Sequence, residues 1–155
     1  MADAATIFRF RPRYRGLAWS SVGVGGTLAA ISLAVLGGAL LPLATGAVGV
    51  ALGCGYMLSP SWKMVVIIDD DGLEVRSPKG TKFRVAWSDV ARVVSSPSTS
   101  TCFVDGGTPE KSLLVPGDGA PAPYDLENRP ALCAAILAHV PAERVETVTS
   151  LDAKK

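Results

Sequence analysis

LAWSSVGVGGTLAAISLAVLGGALLPLATGAVGVALGCGYMLSPSW, residues Leu17 to Trp62, contains no Asp, Glu, Lys, Arg or His. A membrane-spanning helix needs about 20 apolar residues, and this stretch is about twice that length. Near its middle, Gly37, Gly38 and Pro42 supply the residues of a tight connection. Two helices are therefore predicted, one from about Leu17 to Leu36 and one from about Leu43 to Leu58. A short connection makes them antiparallel, a helical hairpin.

Two other readings compete. A cleaved leader also begins with basic residues before an apolar core, and "LATGA" at 43–47 offers small residues for cleavage. Cleavage there would leave Val48 to Leu58 as an apolar new terminus, which favours the hairpin. Helices buried inside a soluble protein would show polar faces, and these do not.

The flanks set the expected orientation. Arg9, Arg11, Arg13 and Arg15 precede the stretch, Lys63 follows it, and the connection carries no charge. Lysine and arginine near span ends stay on the cytoplasmic side, so both termini are expected in the cytoplasm. The arginines alternate with Phe8, Phe10 and Tyr14. An extended chain would turn rings to one side and guanidinium groups to the other, which suits a lipid headgroup layer. A generic basic flank with accidental alternation explains the pattern equally well.

Glycine is frequent in both predicted spans. Gly46, Gly49 and Gly53 share one helical face, and Gly49 to Gly53 has GxxxG spacing. Gly26 and Ala30 offer a matching small patch on the first span. Small residues let helix backbones approach closely in lipid, either within the hairpin, the preferred reading, or between this chain and a partner.

The chain's formal net charge is +1; its first sixteen residues carry +3, leaving −2 for everything from Lys63 onward. An acidic remainder argues against nucleic-acid binding, which needs concentrated positive charge. Cys54, Cys102 and Cys133 are widely spaced, and His139 is the single histidine. Neither zinc-ligand spacing nor a disulfide framework emerges, although Cys102 and Cys133 are the one pair that a conventional disulfide could join. Three reduced, mostly buried thiols are expected.

After Lys63 the pattern turns to short β runs. "MVVIIDDDGLEVRS" (64–77) reads as a hairpin turned at Asp71-Gly72. Its three aspartates lack the remaining ligands of a calcium loop, so a solvated turn is expected. Phe83, Val85 and Trp87 alternate with Lys82, Arg84 and Ala86, and Val90, Val93 and Val94 resume an apolar run. "TCFVDG" and "KSLLVPG" complete about six strands. "NRPALCAAILAHVP" (128–141) places Leu132, Ile136 and Val140 at helical spacing, with Asn128 as N-cap, Pro130 in the first turn and Pro141 as terminator. Residues 149–155 read as a frayed tail. The predicted fold class is α+β, with two transmembrane helices followed by an antiparallel sheet or partial barrel capped by a C-terminal helix.

"DDGLEVRSPKGTKFRVAWSDVARV" (70–93) resembles the core of bacterial PH-like domains. Trp87, Ser88, Asp89 and Val90 match that family's element after the central strand, with Ala86 where proline is common. The resemblance covers about residues 64–148 and extends to architecture, because many such domains follow a pair of transmembrane helices. It implies seven strands, the seventh falling in "GDGAPAPYDL" (117–126) if anywhere, and a bacterial inner-membrane location. The implied organisation is a basic segment at 1–16, a hairpin at 17–62, a PH-like domain at 63–148 and a tail.

Candidate sites are few. Trp87 is expected to fill the interior and Asp89 to cap a turn through backbone N–H bonds. Lys79, Lys82 and Arg84 concentrate positive charge on one hairpin and could meet phosphate groups or an anionic leaflet. The family resembled does not typically read phosphoinositides. Cys133 and His139 are six apart on the predicted helix, about 600° of rotation, and so face different ways. Neither a serine nucleophile motif nor a phosphate-cradling glycine loop is legible. The expectation is a non-catalytic module without metal or cofactor, integral to the membrane and binding a protein partner or a second copy of itself. A subunit assembled through its glycine-rich spans is the alternative, and sensing of an anionic lipid surface is the second. The sequence identifies no small-molecule ligand.

Overall fold

A computed structural model describes residues 5–149, and these fall into two compact units. One is formed by residues 12–59, and the other by the remaining described residues on either side of it in sequence. The chain is α+β. Strand β1 (Thr6–Pro12) comes first, then helices α1 (Arg15–Ala34) and α2 (Leu40–Met57). Strands β2 (Val65–Ile68), β3 (Gly72–Ser77), β4 (Gly80–Ala86), β5 (Arg92–Ser96), β6 (Thr101–Asp105), β7 (Leu113–Val115) and β8 (Tyr124–Leu126) follow. Helix α3 (Arg129–His139) and strand β9 (Val145–Thr147) complete it.

Within the helical unit, α1 and α2 are long and apolar enough to cross a membrane. Their outer surfaces are apolar all round, with Leu40 82%, Leu41 81% and Leu58 80% exposed. Few of their residues are buried, unlike those of a helix in a soluble core. Hydroxyl groups are satisfied locally. Thr27 and Thr45 donate to the carbonyls of Gly23 and Leu41, both at 2.9 Å, and Ser32 donates to Ala39 O at 2.8 Å. Such internal bonding suits surroundings that offer no water. The connection turns through Gly37 and Gly38, both at positive φ (63° and 80°), a conformation glycine adopts without steric cost. The first helix opens with Tyr14 N–H donating to Tyr56 Oη at 3.0 Å.

In the other unit, a five-stranded sheet has the order β4-β3-β2-β1-β8 and a four-stranded sheet the order β7-β6-β5-β9. Most pairings are antiparallel, but β5 and β9 run parallel, so the second sheet is mixed rather than wholly antiparallel as expected. The core gathers inward residues of both sheets with Leu132 and Ile136 of α3, both fully buried. The six strands legible in the sequence all form. To them are added β8, which does lie in "GDGAPAPYDL", the parallel β9 and β1.

Strand β1 is the addition with the largest consequence. Phe8 pairs with Val66 and Arg9 with Val65, and Phe8 and Phe10 are 4% and 5% exposed. Burying an aromatic ring contributes about 1.5–3 kcal/mol, so two such rings hold the strand firmly. The alternation of rings and guanidinium groups over residues 8–11 thus has a cause in the sheet: Phe8 and Phe10 face the core while Arg9 and Arg11 are exposed. A sheet strand was not among the readings of that segment. The helical hairpin is consequently inserted in the chain between two neighbouring strands of one sheet.

Helix α3 begins at Arg129, directly after Asn128, as expected. Asn128 stands at the N-cap with φ 51°, and its side chain makes no capping bond, because the left-handed backbone aims it away from the first-turn N–H groups. Its carbonyl accepts Leu132 N–H at 3.1 Å. The expected tail lies outside the described residues apart from Thr149, whose carbonyl accepts bonds from Ser96 and Ser98 Oγ at 2.9 and 2.7 Å.

Candidate functional site

The three sets of residues singled out in the sequence occupy different surroundings. Gly46, Gly49 and Gly53 face α1. A Cβ at Gly46 would fall 2.5 Å from Gly25 O, and one at Gly53 would fall 2.6 Å from Ala18 O. Gly49 sits against Ser21, whose Oγ donates to Gly49 O at 2.9 Å. The close approach is therefore within the hairpin. The partner patch on α1 is Ala18, Ser21, Gly25 and Ala29, not the expected Gly26 and Ala30; a Cβ at Gly26 meets nothing within 4 Å. One residue is 100° of helix rotation, and a uniformly apolar helix offers no polar face from which to fix the phase.

Trp87 is 8% exposed and belongs to the core, as expected. Its indole N–H donates to Asp69 O at 2.9 Å, and its ring stacks on His139 with centroids 4.9 Å apart. That stacking gives His139 a packing role, and its Nδ1 lies 2.8 Å from Ala135 O. Asp89 departs from expectation. It is exposed, and its Oδ1 accepts from Ser88 Oγ at 3.2 Å instead of a backbone N–H. The turn is secured from elsewhere, by Arg144, which donates to Ser88 O and Val90 O at 2.8 Å each.

The basic trio does not stay together. Arg84 pairs across the strands with Glu74 and bonds Asp69 at 3.0 Å, with Asp71 and Glu74 carboxylates each 3.8 Å away. Surrounded by three acids, it is spoken for. Lys79, in the turn before β4, and Lys82, two residues before Arg84, are exposed, with no acidic partner among the described residues. The aspartate turn is a solvated one: Asp69 Oδ1 accepts from Asp71 N and Gly72 N at 3.0 and 2.8 Å. Glu74 is 5% exposed and accepts from Thr81 Oγ1 at 2.7 Å and Arg76 Nε at 2.9 Å. These bonds hold its carboxyl below the usual carboxylate range.

Beside α3 runs a groove of about 210 Å³ lined by Ser95, Ser96, Ser100, Thr101, Cys133 and Leu137. Cys133 Sγ donates to Ser100 O at 3.8 Å. The neighbouring Cys133, together with burial, pushes the Cys102 thiol well up, while the same neighbourhood and the positive charge of Arg129 lower that of Cys133. All three cysteines are free thiols. Among the described residues there is no group of three or more His, Cys, Asp or Glu side chains placed to hold a metal ion. No family model, curated protein or solved structure matches this chain.

Proposed function

We propose that this chain is a membrane-anchored, non-catalytic binding module of the bacterial PH-like kind, held at the inner membrane with both termini in the cytoplasm and docking a protein partner there. The observation that carries the reading is the pairing of β1 with β2 on either side of the helical hairpin. Two strands can share hydrogen bonds only in one compartment, so the intervening segment must cross a bilayer an even number of times. Two helices long and apolar enough to span satisfy that requirement. Basic residues flank both hairpin ends while the connection has none, and the positive-inside rule then favours the cytoplasm for the sheet. Tyr14, Trp19 and Tyr56 gather at the same hairpin end, as interfacial aromatic residues do.

The PH-like assignment is supported by two packed sheets with an amphipathic helix whose Leu132 and Ile136 fill the core. The docking surface we favour is the outer edge of β4, the last strand of its sheet. A peptide added there would gain main-chain hydrogen bonds. Tethering raises the domain's effective concentration toward membrane partners without any new contact. The competing reading, a subunit assembled through glycine-rich spans, loses support because Gly46, Gly49 and Gly53 are occupied by the hairpin's own packing.

The test is photo-crosslinking in cells with the reactive residue placed either at Thr81 on the β4 edge or at Val48, exposed on α2. A discrete adduct from Thr81 and none from Val48 is expected. Adducts from Val48 alone support the subunit reading. Release of the full chain from membranes by alkaline carbonate overturns both.

A further inference from the structure

Four strands of the five-stranded sheet, β1 to β4, are charge-polarised along their length, while Glu127 after β8 lies beside Arg11. Phe8, Val66, Val75 and Phe83 form one cross-strand row near the middle of these four strands. On one side of that row the charged residues within β1 to β4 are all basic, Arg9, Arg11, Arg76 and Lys82, joined by Lys63 shortly before β2 and Lys79 in the β3–β4 turn. On the other side stand Asp69, Asp70, Asp71 and Glu74, with Arg84 bonded among them. All six basic residues are exposed. Arg11 pairs with Glu127 and Arg76 with Glu74, while Arg9, Lys63, Lys79 and Lys82 have no acidic partner among the described residues.

The basic end is also where the chain leaves the sheet for the hairpin and returns. Strand β1 runs toward it and ends at Pro12, β2 starts from it at Val65, and the β3–β4 turn at Pro78 and Lys79 lies there because Ser77 pairs with Gly80. Between β1 and α1 there are two residues, Arg13 and Tyr14. Three Cα steps from Pro12 to Arg15 reach at most about 11 Å. The acidic turn is remote by comparison. Leu73 to Ser77 alone spans about 13 Å of strand, more than the Debye length of about 8 Å at physiological salt.

We propose that the tethered end of this sheet is a docking face for an anionic lipid surface, contacted by Arg9, Arg11, Lys63, Arg76, Lys79 and Lys82. The inference rests on the membrane-anchored reading above. Each such residue near an anionic leaflet contributes about a fivefold preference, and the tether makes the encounter intramolecular. The acidic pole points away from the lipid, so attraction at one end and repulsion at the other set the domain's orientation.

The test uses the full chain in nanodiscs of phosphatidylcholine alone or with added phosphatidylglycerol. The rate of amine labelling of each lysine is followed by mass spectrometry. Lys111 is the internal control, because its backbone packs beside Gly106, whose other neighbour is Val85 at the acidic end of β4. In anionic discs Lys79 and Lys82 should label at least about fivefold more slowly, the contribution of a single basic residue near such a surface. High salt should restore their rates, and Lys111 should be unaffected. Equal rates in the two lipids overturn the proposal, as does equal slowing of Lys111. Protection in neutral discs by soluble inorganic phosphate would assign the face to free phosphate. Protection seen only in native membranes, not in purified anionic discs, would assign it to an acidic protein; either result overturns the lipid assignment. A chain that fails to remain in the discs at all refutes the anchored reading itself, a result distinct from retained protein with lipid-insensitive lysines.

Discussion

Replacing Gly46 with alanine tests how closely the two helices approach. The added Cβ would lie 2.5 Å from Gly25 O, 2.8 Å from Ala29 N and 3.0 Å from Ala29 Cβ, mostly backbone that cannot swing aside. Ordinary contact begins at 3.4 Å, so the helices must part by the difference, about 0.9 Å, at this level. A gap of that size forfeits about a quarter to a half of the dispersion energy of each contact it opens. It also stretches the 2.9 Å bond from Ser21 to Gly49 O, a kind of interaction worth about 0.6 kcal/mol in membrane helices. Overpacking of this sort costs about 1–3 kcal/mol, offset by up to about 1 kcal/mol of helix propensity gained over glycine. Gly55→Ala is the control, because a Cβ there meets nothing within 4 Å and collects the propensity gain alone. The two variants should therefore differ by about 1–3 kcal/mol, with Gly46→Ala the less stable. The assay is energy transfer between probes at the exposed Leu17 and Leu58 during an SDS titration of the full chain in mixed micelles, with Cys54 replaced by alanine. Gly25→Ala combined with Gly46→Ala should cost less than the sum of the two, since one separation relieves both clashes. Equal midpoints for Gly46→Ala and Gly55→Ala would refute the close-packed interface.

Glu74 predicts a pH dependence. Its carboxyl pKa is lowered on folding, first by the bond from Thr81, so the stability it contributes is complete above the unfolded value near 4.5 and is lost as pH falls through the lower folded value. Glu74→Gln should flatten the acid limb of the thermal midpoint below about pH 4.5; superimposable limbs would exclude the linkage. Arg144→Ala leaves two carbonyls at the Ser88–Val90 turn without their donor and should cost about 2–3 kcal/mol in chemical denaturation, a loss under about 0.5 kcal/mol counting against it.

The elements that were legible in advance are those with a local signal. An uncharged run twice the length of a span announces two helices, and Gly37-Gly38 marks their turn. Asp71-Gly72 marks a hairpin, and Leu132, Ile136 and Val140 mark α3. What stayed hidden depends on partners distant in sequence. Strand β1 carries the alternating pattern of any half-buried strand, but its neighbour Val66 lies beyond the whole apolar stretch, so a membrane flank was the nearer explanation. The phase of α1 could not be chosen because both helices are apolar all round. Of the basic trio, the acidic surroundings of Arg84 stayed hidden because its cross-strand position beside Glu74 is a matter of register, and the Val75–Arg76 irregularity in β3 adds to that difficulty. That Arg9 and Arg76 share one end of the sheet with Lys79 and Lys82 is a matter of strand direction alone.

The insertion of the helices between β1 and β2 also sets an order of events during synthesis. Strand β1 leaves the ribosome before β2, the neighbour against which Phe8 and Phe10 become buried. They must wait until the whole apolar stretch has emerged and Val65 to Ile68 has followed it. Closing so long a loop slows folding of the sheet while adding little to its equilibrium cost. A chain whose greasy middle has been handled wrongly, leaving its flanks in different compartments, can never complete its first sheet. It would keep two bare aromatic rings on display, a mark by which quality-control proteases could tell it from a finished molecule.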